Sequence, residues 1–368
     1  MKIVTYIFIA TLILLSVFTY VFVDVNIVYL KSLYTGCYLT HRLLLTLFYG
    51  ILISVLFGCF YFYIKNADKF KGSLKKIIIL VILVTILSYP GALTFDIFNY
   101  IITAKVAFFY QENPYIIYPI EFINDPNLLF TRAANKTALY GPFWILVSAI
   151  PYFAGLGNFV LTLFSFKIFI ALFYVATVYL INKLDKNAVI FFALNPLVII
   201  ETLVSGHNDI AMIFFALSAF CLFFKKRYGL STLTFMASIF IKFATLFLVP
   251  IFIAMAKDRI VGKKINQEKA FMYSSLFMFF VFLLSPFREE LYPWYATWFI
   301  VFTSFLYKNK FLQNLVLVFT FGLMLRYIPY MGTGSYFGIT PLFRNLLMLT
   351  PVLIFLIYSW LRTLFQRS

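Results

Sequence analysis

Runs of about 20 apolar residues recur along the chain, each long enough to cross the ~30 Å hydrocarbon core of a bilayer, and short polar segments separate them. The runs are continuous rather than alternating, which predicts α-helices and argues against a membrane β-barrel. We place spans near residues 3–23, 42–64, 76–93, 158–181, 188–203, 209–224, 229–241, 243–256, 270–286, 293–307, 311–326 and 341–361. The expected fold is all-α, a polytopic transmembrane helical bundle of about 12 spans in a single integral membrane domain, 1–368. The pair flanking Lys242 is short: about 13 residues cover only ~20 Å at 1.5 Å per residue, so a broken or strongly buried segment is expected there.

Composition supports the pattern. The chain is 63% hydrophobic and 12% charged, too little charge to cover the surface of a soluble protein of 368 residues. The net charge of +17 does not point to nucleic acid, because the basic residues are scattered among short inter-helix loops. Membrane lipids, anionic headgroups above all, are the natural partners of such charge. Dense Lys/Arg segments fall at 65–76, 183–186, 225–227, 257–269 and 308–310, with Arg362 and Arg367 near the C-terminus. By the positive-inside rule these are cytoplasmic, as are both termini. Counting Lys2 as well, that side collects 20 of the 30 Lys and Arg but only Asp68, Asp185, Asp258 and Glu268 of the 13 acids.

The first 23 residues read as an uncleaved helix, since no small-residue cleavage signal follows the apolar stretch. Cys37, Cys59 and Cys221 lie too far apart for a metal cluster and are expected to be structural. Residues 142–157 are apolar, yet a full crossing there would move the 225–227 cluster to the wrong side, so this stretch is expected to be re-entrant or interfacial. The longest polar segment, 94–141, is expected to be a large extracytoplasmic loop with interfacial helices, including one over 97–110.

Candidate chemistry gathers on the acidic side. Asp96, just past the third span and followed by Asn99 and Tyr100, could accept a proton from a bound hydroxyl; equally, it could simply cap the helix that follows. Glu112-Asn113-Pro114-Tyr115 and Tyr140-Gly141-Pro142 lie in the same loop. A second cluster runs from Asn195-Pro196 through Glu201 to Ser205-Gly206-His207-Asn208-Asp209. Here His207 and Asp209 could orient one another, bind a phosphate or sugar hydroxyl, or contribute to a metal site, although two isolated ligands are too few to demand a metal; equally, the stretch could be only a capped turn. Lys242, Arg288 beside Glu289 and Glu290, Arg326 and Arg344 are cations close to hydrocarbon, where a retained charge often marks a ligand path. Arg288 could equally pair with its neighbouring glutamates. Trp294 and Tyr295 fit either a sugar platform or the interfacial aromatic belt. Lys167 sits mid-span with no evident role beyond an unseen partner. No phosphate loop, dinucleotide fingerprint, zinc motif or nucleophile elbow occurs, which argues against nucleotide-driven pumping.

The order of these residues resembles the membrane-embedded glycosyltransferases of the GT-C superfamily, most closely the bacterial polyprenol-phosphate-mannose-dependent α-1,6-mannosyltransferases. It rests on Asp96 with Asn99-Tyr100, Asn113-Pro114-Tyr115, Tyr140-Gly141-Pro142, Asn195-Pro196 through Gly206-His207-Asn208-Asp209, Lys242 and Pro293-Trp294-Tyr295. The resemblance implies transfer of a hexose, mannose above others, from a polyprenyl-phosphate-linked donor to a glycan or glycolipid acceptor at the plasma membrane. Asp96 would be the catalytic base, in an extracytoplasmic site. Asn99, Tyr100, Tyr115, His207, Asn208, Asp209, Lys242, Arg288, Trp294 and Tyr295 would bind substrate. The sequence requires no cofactor and does not call for a divalent cation. The alternative is a secondary transporter or lipid flippase, although the two halves show no inverted repeat. A structural envelope protein would leave the Asp96 and His207 clusters unexplained.

Overall fold

Helix accounts for 79% of the computed structural model, which describes residues 2–24, 26–27, 30–287 and 290–366, and no strand occurs among them. Arg288 and Glu289 lie outside the described residues, so the sequence reading of Arg288 has no structural counterpart here. The principal helices are α1 (Lys2–Phe18), α2 (Arg42–Lys65), α3 (Leu74–Ile86), α4 (Asp96–Phe108), α5 (Pro142–Ala154), α6 (Phe159–Leu184) and α7 (Asp209–Phe224). They continue as α8 (Tyr228–Ile241), α9 (Val249–Ile260), α10 (Gln267–Leu284), α11 (Thr297–Thr303), α12 (Lys310–Leu325), α13 (Tyr327–Thr333) and α14 (Thr340–Phe365).

Among the described residues, six helical segments are long and apolar enough to cross a membrane: Lys2–Phe22, Arg42–Lys65, Phe159–Leu184, Gln267–Phe287, Lys310–Thr333 and Thr340–Phe365. A seventh is broken, with Lys186–Ala193 and Pro196–Val204 meeting at 66°. The break has a local cause. Pro196 cannot donate to the preceding turn, and the Asn195 side chain caps the new helix by accepting from the Leu197 amide at 3.0 Å. Among the other expected spans α7 and α8 are shorter helices, and the stretch expected to be re-entrant or interfacial forms the short apolar helix α5. At 13 residues, α5 reaches only ~20 Å at the helical rise.

Packing places α7 at the centre. Twelve of its side chains are buried, on every face, which marks a core helix rather than an amphipathic one. It packs most extensively on α8 and also on α6, while α1 packs on α2 and α3, α10 on α11, and α12 on α14. The span expected over 76–93 ends early, at Ile86, and residues 87–95 form an irregular strap leading to Asp96. Lys167, mid-way along α6, explains how that end is tolerated. Its Nζ lies 3.2 Å from the Thr85 carbonyl, 2.5 Å from the Ser88 carbonyl and 2.8 Å from the Ser88 hydroxyl, satisfying acceptors that a helix end exposes. The strap is held from its other side as well, by the Tyr89 amide donating to Thr19 at 2.9 Å.

The break expected near Lys242 is present. Residue 242 is extended (φ −153°, ψ 125°) between α8 and a 3₁₀ segment, Phe243–Leu248. Against this break docks the 140–142 stretch. The Gly141 amide donates to the Ile241 carbonyl at 3.0 Å, and a Cβ there would sit 2.1 Å from the Phe240 carbonyl oxygen, so only glycine allows the approach. Pro142 then opens α5 at a position where its missing N–H costs nothing.

Candidate active site

Strap, loop and helix breaks surround one cavity of about 530 Å³. Asp96, Asn99, Lys242, Trp294 and Tyr295 line it, together with Asp24, Arg132, Lys136, Glu290, Arg326, Tyr327 and Arg344. Among the described residues its cations outnumber its carboxylates, which suits an anionic ligand.

Asp96 is the first residue of α4, preceded by Phe95 at the cap position, so its carboxylate sits at the positive end of the helix. Its Oδ2 lies 3.8 Å from His207 Nε2. His207 itself is buried behind the wall, stacked on Trp294 with ring centroids 4.2 Å apart and planes at 12°. Thr94 Oγ1 is 3.2 Å from His207 Nε2, and the Glu201 carbonyl is 2.8 Å from Nδ1. The Glu201 carboxylate approaches the same nitrogen at 3.3 Å through Oε2, without the geometry of a hydrogen bond, because Nδ1 is aimed at the carbonyl. Burial opposes charging of this imidazole, but Glu201, with smaller contributions from Asp96 and Asp209, outweighs it and holds His207 above its ordinary value.

Gly206 makes this turn possible. Its φ of +79° is left-handed, and a Cβ would meet Ile97 Cδ1 at 3.0 Å. The turn separates the functions of its neighbours. His207 faces Glu201 and Asp96, whereas Asp209 faces the other way: Lys242 Nζ lies 2.8 and 2.9 Å from its two oxygens, and Trp298 Nε1 donates to Oδ1 at 2.5 Å. The two do not orient one another through a direct hydrogen bond. Lys242 also lies over the rings of Tyr295 (4.7 Å) and Trp298 (5.8 Å) while reaching the cavity.

Not every candidate reaches the cavity. Tyr100 and Asn208 are buried against each other; the Tyr100 hydroxyl lies 3.2 Å from Asn208 Oδ1 and accepts from its amide at 3.1 Å. They fasten α4 to the start of α7. Tyr115 stands outside the lining and donates to the Tyr140 carbonyl at 2.7 Å. Asn99 lines the cavity and accepts from the Ala133 amide at 3.3 Å, tying the 131–139 segment over the site. On the facing wall, Glu290 Oε2 is shared by Arg326, at 3.1 Å, and Arg344. Among the described residues, no three His, Cys, Asp or Glu side chains form a group that could hold a metal ion.

With this geometry in view, comparison with known proteins is decisive at the level of the family. The model of the alpha-(1->6)-mannopyranosyltransferase family, described as its N-terminal domain, matches residues 12–258. The chain belongs to that family. No curated protein and no solved structure matches it. It is therefore an enzyme, a membrane glycosyltransferase of a mannosyltransferase family, rather than a transporter. The matched residues carry Asp96, His207, Asp209 and Lys242; Glu290, Trp294, Tyr295, Arg326 and Arg344 line the same cavity from beyond the match.

Several contributors escaped the sequence reading, Trp298, Tyr327 and Arg132 among them. Trp298 follows Trp294 by four residues, a helical repeat that could have flagged it. Tyr327, whose hydroxyl donates to Glu201 Oε1 at 2.8 Å, offers no comparable signal. Nor does Arg132, which pairs with Asp24 at 3.1 Å and lies 4.6 Å from the Phe95 ring beside the strap.

Proposed function

We propose that this protein transfers a mannosyl residue from a polyprenyl-phosphate-linked donor to a hydroxyl of a glycan or glycolipid acceptor, with inversion, at the extracytoplasmic face of the plasma membrane. The observation that carries this reading is one cavity presenting the Asp96 carboxylate together with Lys242, Arg326 and Arg344. Asp96 removes the proton of the acceptor hydroxyl. That oxygen forms the new bond to the anomeric carbon as the bond to the phosphate oxygen breaks, and polyprenyl phosphate leaves with the electron pair. Negative charge grows on the leaving group, where fixed cations in a partly dehydrated cavity are worth more than in water. Trp294 and Tyr295 offer ring faces to the sugar. A bundle of membrane-spanning helices leaves the long prenyl tail in lipid while its phosphate reaches the cavity.

The test is transfer by purified protein from polyprenyl-phosphate mannose to a mannose-containing glycan, comparing wild type with Asp96→Asn. Loss of the base should lower kcat by roughly 10²- to 10⁴-fold with the donor KM little changed. Undiminished transfer by Asp96→Asn would remove Asp96 from the base role.

A further inference from the structure

No Lys or Arg pairs with the Glu201 carboxylate among the described residues; its ion-pair neighbour is His207. The Glu201 side chain is fully buried, in a single π-helical turn, Ile200–Val204, that follows the Pro196 break. Such turns are uncommon and concentrate at functional sites. A buried carboxylate is costly unless its oxygens are engaged. Here Tyr327 donates to Oε1, while Oε2 is left 3.3 Å from His207 Nδ1.

We propose that Glu201 is a positioning residue that acts on Asp96 through His207. This rests on Asp96 being the base. The geometry gives His207 a fixed orientation: Nδ1 is hydrogen-bonded to the Glu201 carbonyl, with the carboxylate of the same residue close by, and Trp294 lies flat on the ring. Nε2 is thereby aimed toward Thr94 and Asp96. Because Nδ1 carries a proton to give to the Glu201 carbonyl, protonation of the ring puts the second N–H on the side of Asp96. The charged groups acting on the ring are the carboxylates of Glu201 and Asp96 and, more weakly, that of Asp209, which faces away and is bound by Lys242. Those facing Glu201 are His207, Tyr327 and Tyr49; Tyr100 and Tyr140 face Asp96.

The consequence is electrostatic. An imidazolium behind Asp96 favours its carboxylate form and directs one oxygen to the rear, leaving the other to meet the acceptor hydroxyl. No proton has to pass through His207; it keeps its own while Asp96 takes that of the acceptor. Removing the Glu201 charge makes His207 easier to neutralise, and Asp96 then protonates at higher pH.

Two measurements test this. In the first, kcat/KM is followed against pH for wild type and Glu201→Gln, which preserves shape. The acid limb should move up by about one pH unit, and activity on that limb should fall about tenfold, one unit being a factor of ten in ionisation, with donor KM unchanged. An unmoved limb would overturn the proposal, because a residue that only supports the fold lowers activity at all pH values alike. The second needs neither turnover nor a folded Glu201 variant. The chain has two histidines, and His41 is exposed, so His41→Gln leaves one imidazole signal in a ¹⁵N-histidine-labelled sample. An imidazolium at pH 7 whose titration point falls in the added Asp96→Asn background supports the array; a neutral ring at pH 7 overturns it. If Asp96→Asn retains transfer, the base reading fails, and the labelled-histidine result still decides whether the array exists. If Asp96→Asn is inactive and the Glu201→Gln limb stays in place, the array alone fails.

Discussion

Lys242 and Asp209 show what a single contact contributes at this site. Asp209 is almost wholly buried, and Lys242 is its charge partner at the cavity wall. Removing one member of a buried pair strands the other charge, so Lys242→Met should cost roughly 3–5 kcal/mol, read as a lower unfolding temperature in detergent. Adding Asp209→Asn should recover much of that loss without restoring transfer, because the stranded charge is gone while the cation facing the cavity is still missing. A double variant as unstable as Lys242→Met would show that Trp298, not the ion pair, carries the stability. The sequence made this site legible as residue types: Asp96, His207, Asp209 and Lys242 stand out because ionisable groups beside hydrocarbon are expensive. It did not reveal the pairing. Asp209 looked like the partner of His207, two positions away, but the left-handed Gly206 turns the chain so that the nearer histidine serves Asp96 and the distant lysine serves Asp209.

Helices and their breaks decide where those residues point. Apolar run length located nearly every helix, since periodicity and length are local properties. Where a helix stops is less local. The ends of α3 and of the 186–193 helix depend on Lys167 and Asn195, and Lys167 is some 80 positions from the carbonyls it satisfies. The Gly141 contact is of the same kind, and it is a sharp test of the docking between the 140–142 stretch and α8. Gly141→Ala places a methyl group 2.1 Å from a backbone oxygen that has no flexible end to move, so α5 and the Lys242 break must separate. The expected result is a lower unfolding temperature and at least tenfold weaker transfer, an energy of ~1.4 kcal/mol. Gly229→Ala, in the first turn of α8 with nothing within 4 Å, is the control and should be neutral or slightly stabilising. Equal effects of the two substitutions would mean that the close approach is not maintained in the membrane.

Across the whole molecule, α7 separates two chemically different ends. Its N-terminal Asp209 underlies the cavity, and its C-terminal Phe223 and Phe224 border a second, smaller hollow that is lined by Lys226, Arg259, Lys263 and Lys264 without a carboxylate. Sixteen residues of helix put roughly 24 Å between those ends, most of the thickness of a hydrocarbon core. We propose on this basis that the basic end lies at the cytoplasmic surface and the cavity at the opposite one. Cysteine labelling decides this directly. In a background with Cys37, Cys59 and Cys221 replaced by alanine, Lys136→Cys exposes a thiol at the rim of the cavity and Lys264→Cys one at the basic end. A membrane-impermeant maleimide should modify Lys136→Cys in intact cells and reach Lys264→Cys only after permeabilisation. The reverse pattern would open the cavity to the cytoplasm, where soluble nucleotide sugars are present, and the argument for a lipid-linked donor would lose its main physical reason: that a sugar used on the outer face must arrive already activated through the membrane.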